Sequence, residues 1–178
     1  RELRLTLKAA GELIRAGVVA VKGDAVLTKT EKLPQRLDGY TKRFWALHVL
    51  HNRVRNAVLL HQYAQRLLKQ KSAKSLTPQE RQNFVKDLTA RQTELTELQA
   101  ILVRRDLQLR IERIRVAAAI VNDSKNAFMD RLEAAFAIDV DGDALGAALL
   151  KGQAGKNQAA NLGISAAELA SLDNAIKY

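Results

Sequence analysis

From Gln79 to Val140 the chain contains neither Gly nor Pro. These are the two residues that most readily interrupt a helix. Through the same stretch apolar residues recur at spacings of three and four, the signature of a helix face. The stripe runs through Leu88, Leu95, Leu98, Leu102 and Leu109, then shifts phase to Leu107, Ile111, Ile114, Ala118, Val121, Phe128 and Leu132. A helix unbroken to Ala137 would extend roughly 90 Å at 1.5 Å per residue. Its weak point is "NDSKN" at 122–126, where Asp123 or Ser124 would cap a fresh helix. The heptad continues on both sides, which favours a continuous or kinked helix.

Such a helix needs partners for its apolar stripe, and the rest of the chain offers them. "KSAKSLTPQE" marks its start: Thr77 suits the N-cap, Pro78 the first helical position, and Glu80 closes a capping box. Before it, a second helix is expected from about Thr41 to Gln70. Leu47, Leu50, Val54, Ala57, His61, Ala64 and Leu68 form a heptad without a slip. The other side is also apolar, through Trp45, Val49, Leu60, Tyr63 and Leu67. A helix apolar on two sides must be covered on two sides, so this second side is expected to meet another element or subunit. The short basic turn between the two helices favours antiparallel packing.

Residues 1–16 read as an amphipathic helix on Leu3, Leu7, Ala10 and Ile14, with Gly17 able to end it. "VVAVKGDAVLT" places β-branched residues around Lys22-Gly23-Asp24. A small β-hairpin near residues 18–28 and a frayed helix are equally weighted there. After Ile138 five glycines punctuate an Ala-rich segment of short helices and turns, ending in a helix that Ser165 and Glu168 cap. The expected fold is all-α: an elongated helical bundle built on a long antiparallel hairpin. Its parts are 1–40 (helix, hairpin and linker), 41–137 (the core hairpin) and 138–178. Composition agrees, since aromatics are only 4% and Pro occurs twice, where strands favour aromatic and β-branched residues.

Charge is distributed unevenly. Residues 1–75 hold 16 basic and 5 acidic side chains, net +11; residues 76–137 hold 10 and 9, net +1; residues 138–178 hold 3 and 5, net −2. Between Asp38 and Glu80 there is no carboxylate, while Lys42, Arg43, Arg53, Arg55, Arg66, Lys69, Lys71 and Lys74 all fall there. His48, Arg55, Gln62 and Lys69 recur every seven residues and line one polar strip. Such a surface would hold phosphate without reading sequence, or would meet an acidic protein face. The competing reading is a solvated face neutralised by Asp and Glu of the neighbouring long helix. A second Arg cluster, "LVRRDLQLRIERIR" at 102–115, pairs Asp106 with Arg110 and Glu112 with Arg115.

Chemistry-bearing motifs are sparse. The chain has no Cys, which removes thiolate sites and disulfides. His48 and His51 could share an ion, but a site needs three or four ligands, and no carboxylate lies nearby. His61 sits on the core stripe and reads as a hydrogen-bonded structural residue. "DVDGDALGAALL" at 139–150 resembles a calcium loop, but its sixth and twelfth positions are Ala144 and Leu150 rather than Gly and an acid; Asp143 is better read as a cap for a helix from Ala144. "GQAGKNQ" lacks the phosphate-loop spacing. No nucleophile motif, cofactor motif or apolar run of membrane-spanning length stands out. The start at Arg1, inside a periodic pattern and without Met, suggests a processed chain, so no compartment is assigned.

Two classes of function follow. The first is a non-enzymatic structural subunit of a homo- or hetero-oligomeric assembly, of the kind found in a secretion apparatus or virus particle, with a cationic surface for an anionic partner. The second is a nucleic-acid-binding regulator that dimerises through its long helices. A helix, a hairpin and dimerising helices loosely resemble a winged-helix protein over Arg1–Leu33. The two helices that should precede the recognition helix are missing, and no residue role is carried across.

Overall fold

The computed structural model describes the backbone of residues 1–30 and 32–177, and their side chains except those of 25–30 and 72. The fold is all-α. Among the described residues there are six α-helices and no strand: α1 (Glu2–Thr30), α2 (Asp38–Lys69), α3 (Pro78–Asn122), α4 (Phe128–Leu145), α5 (Gly152–Asn161) and α6 (Ala166–Ile176). A 3₁₀ turn, Lys71–Ser75, joins α2 to α3, and a π-helical turn, Gly146–Leu150, follows α4.

Two expectations are corrected. The β-hairpin near residues 18–28 is helix, because α1 passes through Gly17 and Gly23 without a break. Val18 and Val21 continue the stripe of Leu7, Ala10 and Ile14, and all five are buried. This burial outweighs the roughly 1 kcal/mol that a mid-helix Gly costs. The winged-helix resemblance, which rested on that hairpin, goes with it. The long helix ends at Asn122 rather than running to Ala137. There the Asp123 carboxylate accepts from the Lys125 backbone N–H at 3.0 Å. The side chains of Asn126 and Arg131 donate to the Ile120 and Val121 carbonyls, each at 3.0 Å. Carbonyls left open by the helix end are thereby satisfied locally.

The chain forms two compact units. The first comprises residues 1–31 and 46–103. In it α1, α2 and α3 pack on a core from Leu7, Ile14 and Val21, from Leu47, Leu50 and Val54, and from Leu95, Leu98 and Leu102. The hairpin of α2 and α3 is antiparallel: Arg81 donates to the Leu68 carbonyl at 3.1 Å near the turn, and His61 Nε2 lies 2.8 Å from the Leu88 carbonyl farther out. A carbonyl only accepts, so that histidine nitrogen carries the proton. The start of α3 is the expected capping box, with Thr77 N–H on Glu80 at 2.9 Å and Glu80 N–H on Thr77 Oγ1 at 3.2 Å. Helix α1 runs parallel to α3, as its successive ion pairs show below.

The second unit comprises residues 32–45 and 104–178. The phase shift between Leu102 and Leu107 falls at its boundary, where the buried stripe of α3 passes from one core to the other. Leu107, Ile111 and Ile114 pack with Leu145, Leu149, Ala159 and Leu172. Helix α5 ends in a Schellman motif: Ile164 N–H bonds the Ala159 carbonyl at 3.0 Å and Gly163 N–H the Ala160 carbonyl at 2.9 Å. Gly163 takes φ +74°, open to Gly at no steric cost. Ser165 and Glu168 then make the expected capping box of α6. Asp143 lies inside α4 and caps nothing.

Candidate interaction surface

The core stripe of α2 fixes what its opposite side presents. Arg55, Arg66 and Lys69 are exposed there with the amides Asn52, Asn56 and Gln62. Two large apolar side chains lie among them: Leu59 is 54% exposed and Tyr63 49%. Arg55, Leu59, Tyr63 and Arg66 follow one another at spacings of four, four and three, so they share one outward strip.

The expected residues divide into three groups. Arg55, Arg66, Lys69, Lys71 and Lys74 are exposed and make no ion pair among the described residues, as does Lys42 near the start of α2. Arg53 is paired with Asp24 of α1, and Arg43 donates to the Lys32 carbonyl; both charges are engaged within the chain. On the apolar side Trp45 and Tyr63 are exposed and Val49 and Leu60 half-buried. Leu67 is buried and belongs to the core, because its position turns toward the neighbouring helices. Leu59 was missed. Its signal was its spacing of four from both Arg55 and Tyr63.

Three carboxylates of α3 that might have neutralised the strip are committed to α1. Glu80 pairs with Arg4 at 2.7 Å, Asp87 with Arg15 at 3.4 Å and Glu94 with Lys22 at 4.0 Å. Glu80, Asp87 and Glu94 are seven residues apart along α3, so one acidic row faces α1 and not the basic strip of α2. Asp87 and Glu94 are also bridged by Arg91. The Thr77 backbone N–H, with Arg4 behind it, holds the Glu80 carboxyl below its usual pKa.

A second surface emerges on α4, inverted relative to an ordinary surface helix. Its buried side carries Ala134, Asp141, Gly142 and Leu145. Its outer side carries Phe128 (74% exposed), Met129, Leu132, Phe136 (64%) and Val140 (58%). Around these stand Glu133, Asp139 and Asp143, exposed and without an ion pair among the described residues. Periodicity had placed Phe128 and Leu132 on the core stripe of a continuous helix. The break at 123–127 resets the phase and turns them outward.

The inversion has a structural cause. Asp141 is fully buried and accepts from Arg113 Nε and Nη2 at 2.6 Å each, and from Arg110 Nη1 at 2.9 Å. Arg110 also holds Asp106 at 2.8 Å. Burial opposes its charge, but Asp106 and Asp141 outweigh burial and its pKa rises above the usual value. The Arg113 guanidinium lies 4.5 Å from the centroid of the Phe44 ring, a cation–π geometry. Asp141, the middle acid of the calcium-like "DVDGD", is thus gripped by two guanidiniums, which hold its side of α4 inward.

No helix among the described residues is long and apolar enough to cross a membrane. No protein-family profile, characterised protein or solved structure matches the chain.

Proposed function

We propose that this protein is a helical assembly subunit, and that the outward strip of α2 from Arg55 to Lys69 is a contact surface for an anionic protein face. One observation carries this reading. Three cations without an ion pair among the described residues, Arg55, Arg66 and Lys69, surround Leu59 and Tyr63, both about half exposed. Unpaired like charges on one strip repel each other, and exposed apolar side chains among them gain from being covered. A partner that is both acidic and apolar relieves both.

Nucleic acid is the second reading. The same cations and the amides Asn52, Asn56 and Gln62 suit phosphate contacts. A phosphate backbone would leave Leu59 uncovered, and this favours the protein partner.

The test combines light scattering with a nucleic-acid titration at several salt concentrations. Changing Arg55, Arg66 and Lys69 together to Gln is compatible with an exposed helix face, so the far-UV circular dichroism should be unchanged. The wild-type protein should associate and the triple variant should be monomeric at the same concentration. A wild-type protein that stays monomeric while binding duplex DNA, with an affinity falling steeply with salt, would support the regulator instead. Association equal in wild type and triple variant would reject the α2 strip as the contact.

A further inference from the structure

We infer that the anionic partner of the α2 strip is the outer face of α4 on a second copy of this chain, in a head-to-tail contact. This rests on the reading of α2 as an assembly surface and names what covers it.

The two faces match in length, chemistry and sign. Arg55 to Arg66 spans about 16 Å of helix and Phe128 to Val140 about 18 Å at 1.5 Å per residue. The α2 strip offers Leu59 and Tyr63 amid cations that make no ion pair among the described residues. The α4 face offers Phe128, Leu132, Phe136 and Val140 amid Glu133, Asp139 and Asp143, which likewise make no ion pair among the described residues. Phe128 and Phe136 are 74% and 64% exposed. Aromatic side chains bury about 150–250 Å² each, so these two alone leave roughly 200–350 Å² uncovered. With Met129, Leu132 and Val140 the patch reaches the size that marks an interaction site on a soluble protein.

Charge selects the pairing. An α4-to-α4 contact would set Glu133, Asp139 and Asp143 against their own copies. An α2-to-α2 contact would do the same with Arg55, Arg66 and Lys69. Only α2 against α4 places cations opposite carboxylates while burying both apolar rows. Such a contact uses different surfaces on the two copies, so one copy of a bound pair still presents a free α4 face and the other a free α2 strip. Assembly then grows into a ring or a filament rather than stopping at a symmetric dimer.

The experiment uses charge reversal in the full chain, read by sedimentation velocity. R55E/R66E/K69E makes both faces acidic, and E133K/D139K/D143K makes both basic. Each variant alone should lose self-association, with its dissociation constant raised on the order of a hundredfold by like charges in contact. Mixing the two in equal amounts should restore co-assembly, and combining all six changes in one chain should restore self-association. Circular dichroism of each variant confirms that the helices persist. If the α2 variant dissociates while the α4 variant assembles like wild type, the α2 strip remains a contact but α4 is not its partner, and the inference is overturned. If both variants assemble like wild type, or wild type is monomeric throughout, the inference and the reading beneath it fall together.

Discussion

Replacing Asp141 by Asn keeps the shape of the side chain and removes its charge, which isolates what the guanidinium clamp contributes. The carboxylate is fully buried and accepts three hydrogen bonds, two from Arg113 and one from Arg110. An amide can accept at one oxygen only, and its NH₂ group would face guanidinium donors. Breaking a buried ion pair by removing one partner costs about 3–5 kcal/mol, because the remaining charge is left uncompensated. Here the remaining charges are the two arginines, whose side chains are 24% and 22% exposed. Water reaches them, and Arg110 keeps Asp106. The lower end of that range applies, about 3 kcal/mol. For a chain of this size, about 2–4 °C of melting temperature is lost per kcal/mol, so D141N should melt about 6–12 °C lower by circular dichroism. Glu97→Gln, exposed on α3 and without an ion pair among the described residues, should stay within about 0.5 kcal/mol of wild type. Replacing Asp141 by Leu and Arg113 by Met together should recover most of the loss, since apolar residues of similar size replace a buried pair at little cost. A D141N protein that melts within 1 °C (about 0.3 kcal/mol) of wild type would refute the clamp.

Three further outcomes follow from other parts of the fold. Leu50 is 3% exposed in the first unit, and Leu50→Ala should cost about 2–5 kcal/mol in urea denaturation; an unchanged midpoint would remove it from the core. The Tyr40 hydroxyl is buried without a hydrogen-bond partner among the described residues, so Tyr40→Phe should be neutral or stabilising by up to about 1 kcal/mol, and a large loss would reveal a partner. Burial, and then the charge of Glu112, raise the Tyr40 pKa. The folded state thus holds the neutral phenol. Stability is full below the ordinary tyrosine pKa near 10 and declines as pH rises through the folded value; Tyr40→Phe should lessen that alkaline loss. Glu80 and Glu168 are held below the usual carboxylate pKa, each first by the backbone N–H of its capping partner. Their contribution is present above the unfolded carboxylate pKa of about 4.3 and is lost as pH falls through the folded values. E80Q/E168Q should therefore flatten the acid limb of the melting curve, and an unaltered limb would contradict the capping geometry.

What the sequence disclosed was local or periodic. The heptad from Leu47 to Leu68, with His61 inside it, lies on the buried side because a strict repeat admits one inward face. Both capping boxes were readable because their partners are three residues apart. Residues 18–28 stood evenly between hairpin and helix because β-branched residues were weighed equally with phase; Val18 and Val21 sit four and seven residues after Ile14, and phase decides for the helix. The helix end at Asn122 depends on side chains of Asn126 and Arg131 reaching back to carbonyls, which periodicity does not register. The outer face of α4 was hidden for the same reason, since its phase is set after the break. It is set by Asp141, whose partners lie 28 and 31 residues away on α3. Likewise, the basic strip could be judged unpaired only once Glu80, Asp87 and Glu94 were seen to serve α1.

The chain has no Cys, so two single-cysteine variants test the central claim directly. Leu59→Cys and Phe136→Cys are prepared separately, one of them isotopically labelled, mixed in equal amounts and treated with a short bismaleimide. Mass spectrometry then distinguishes the mixed cross-link from the two self cross-links. If the strip of α2 is an assembly surface covered by α4 of another copy, the mixed Leu59→Cys to Phe136→Cys product should dominate, and added salt should diminish it. Self cross-links in its place, or no cross-link at concentrations where the protein associates, would contradict the account.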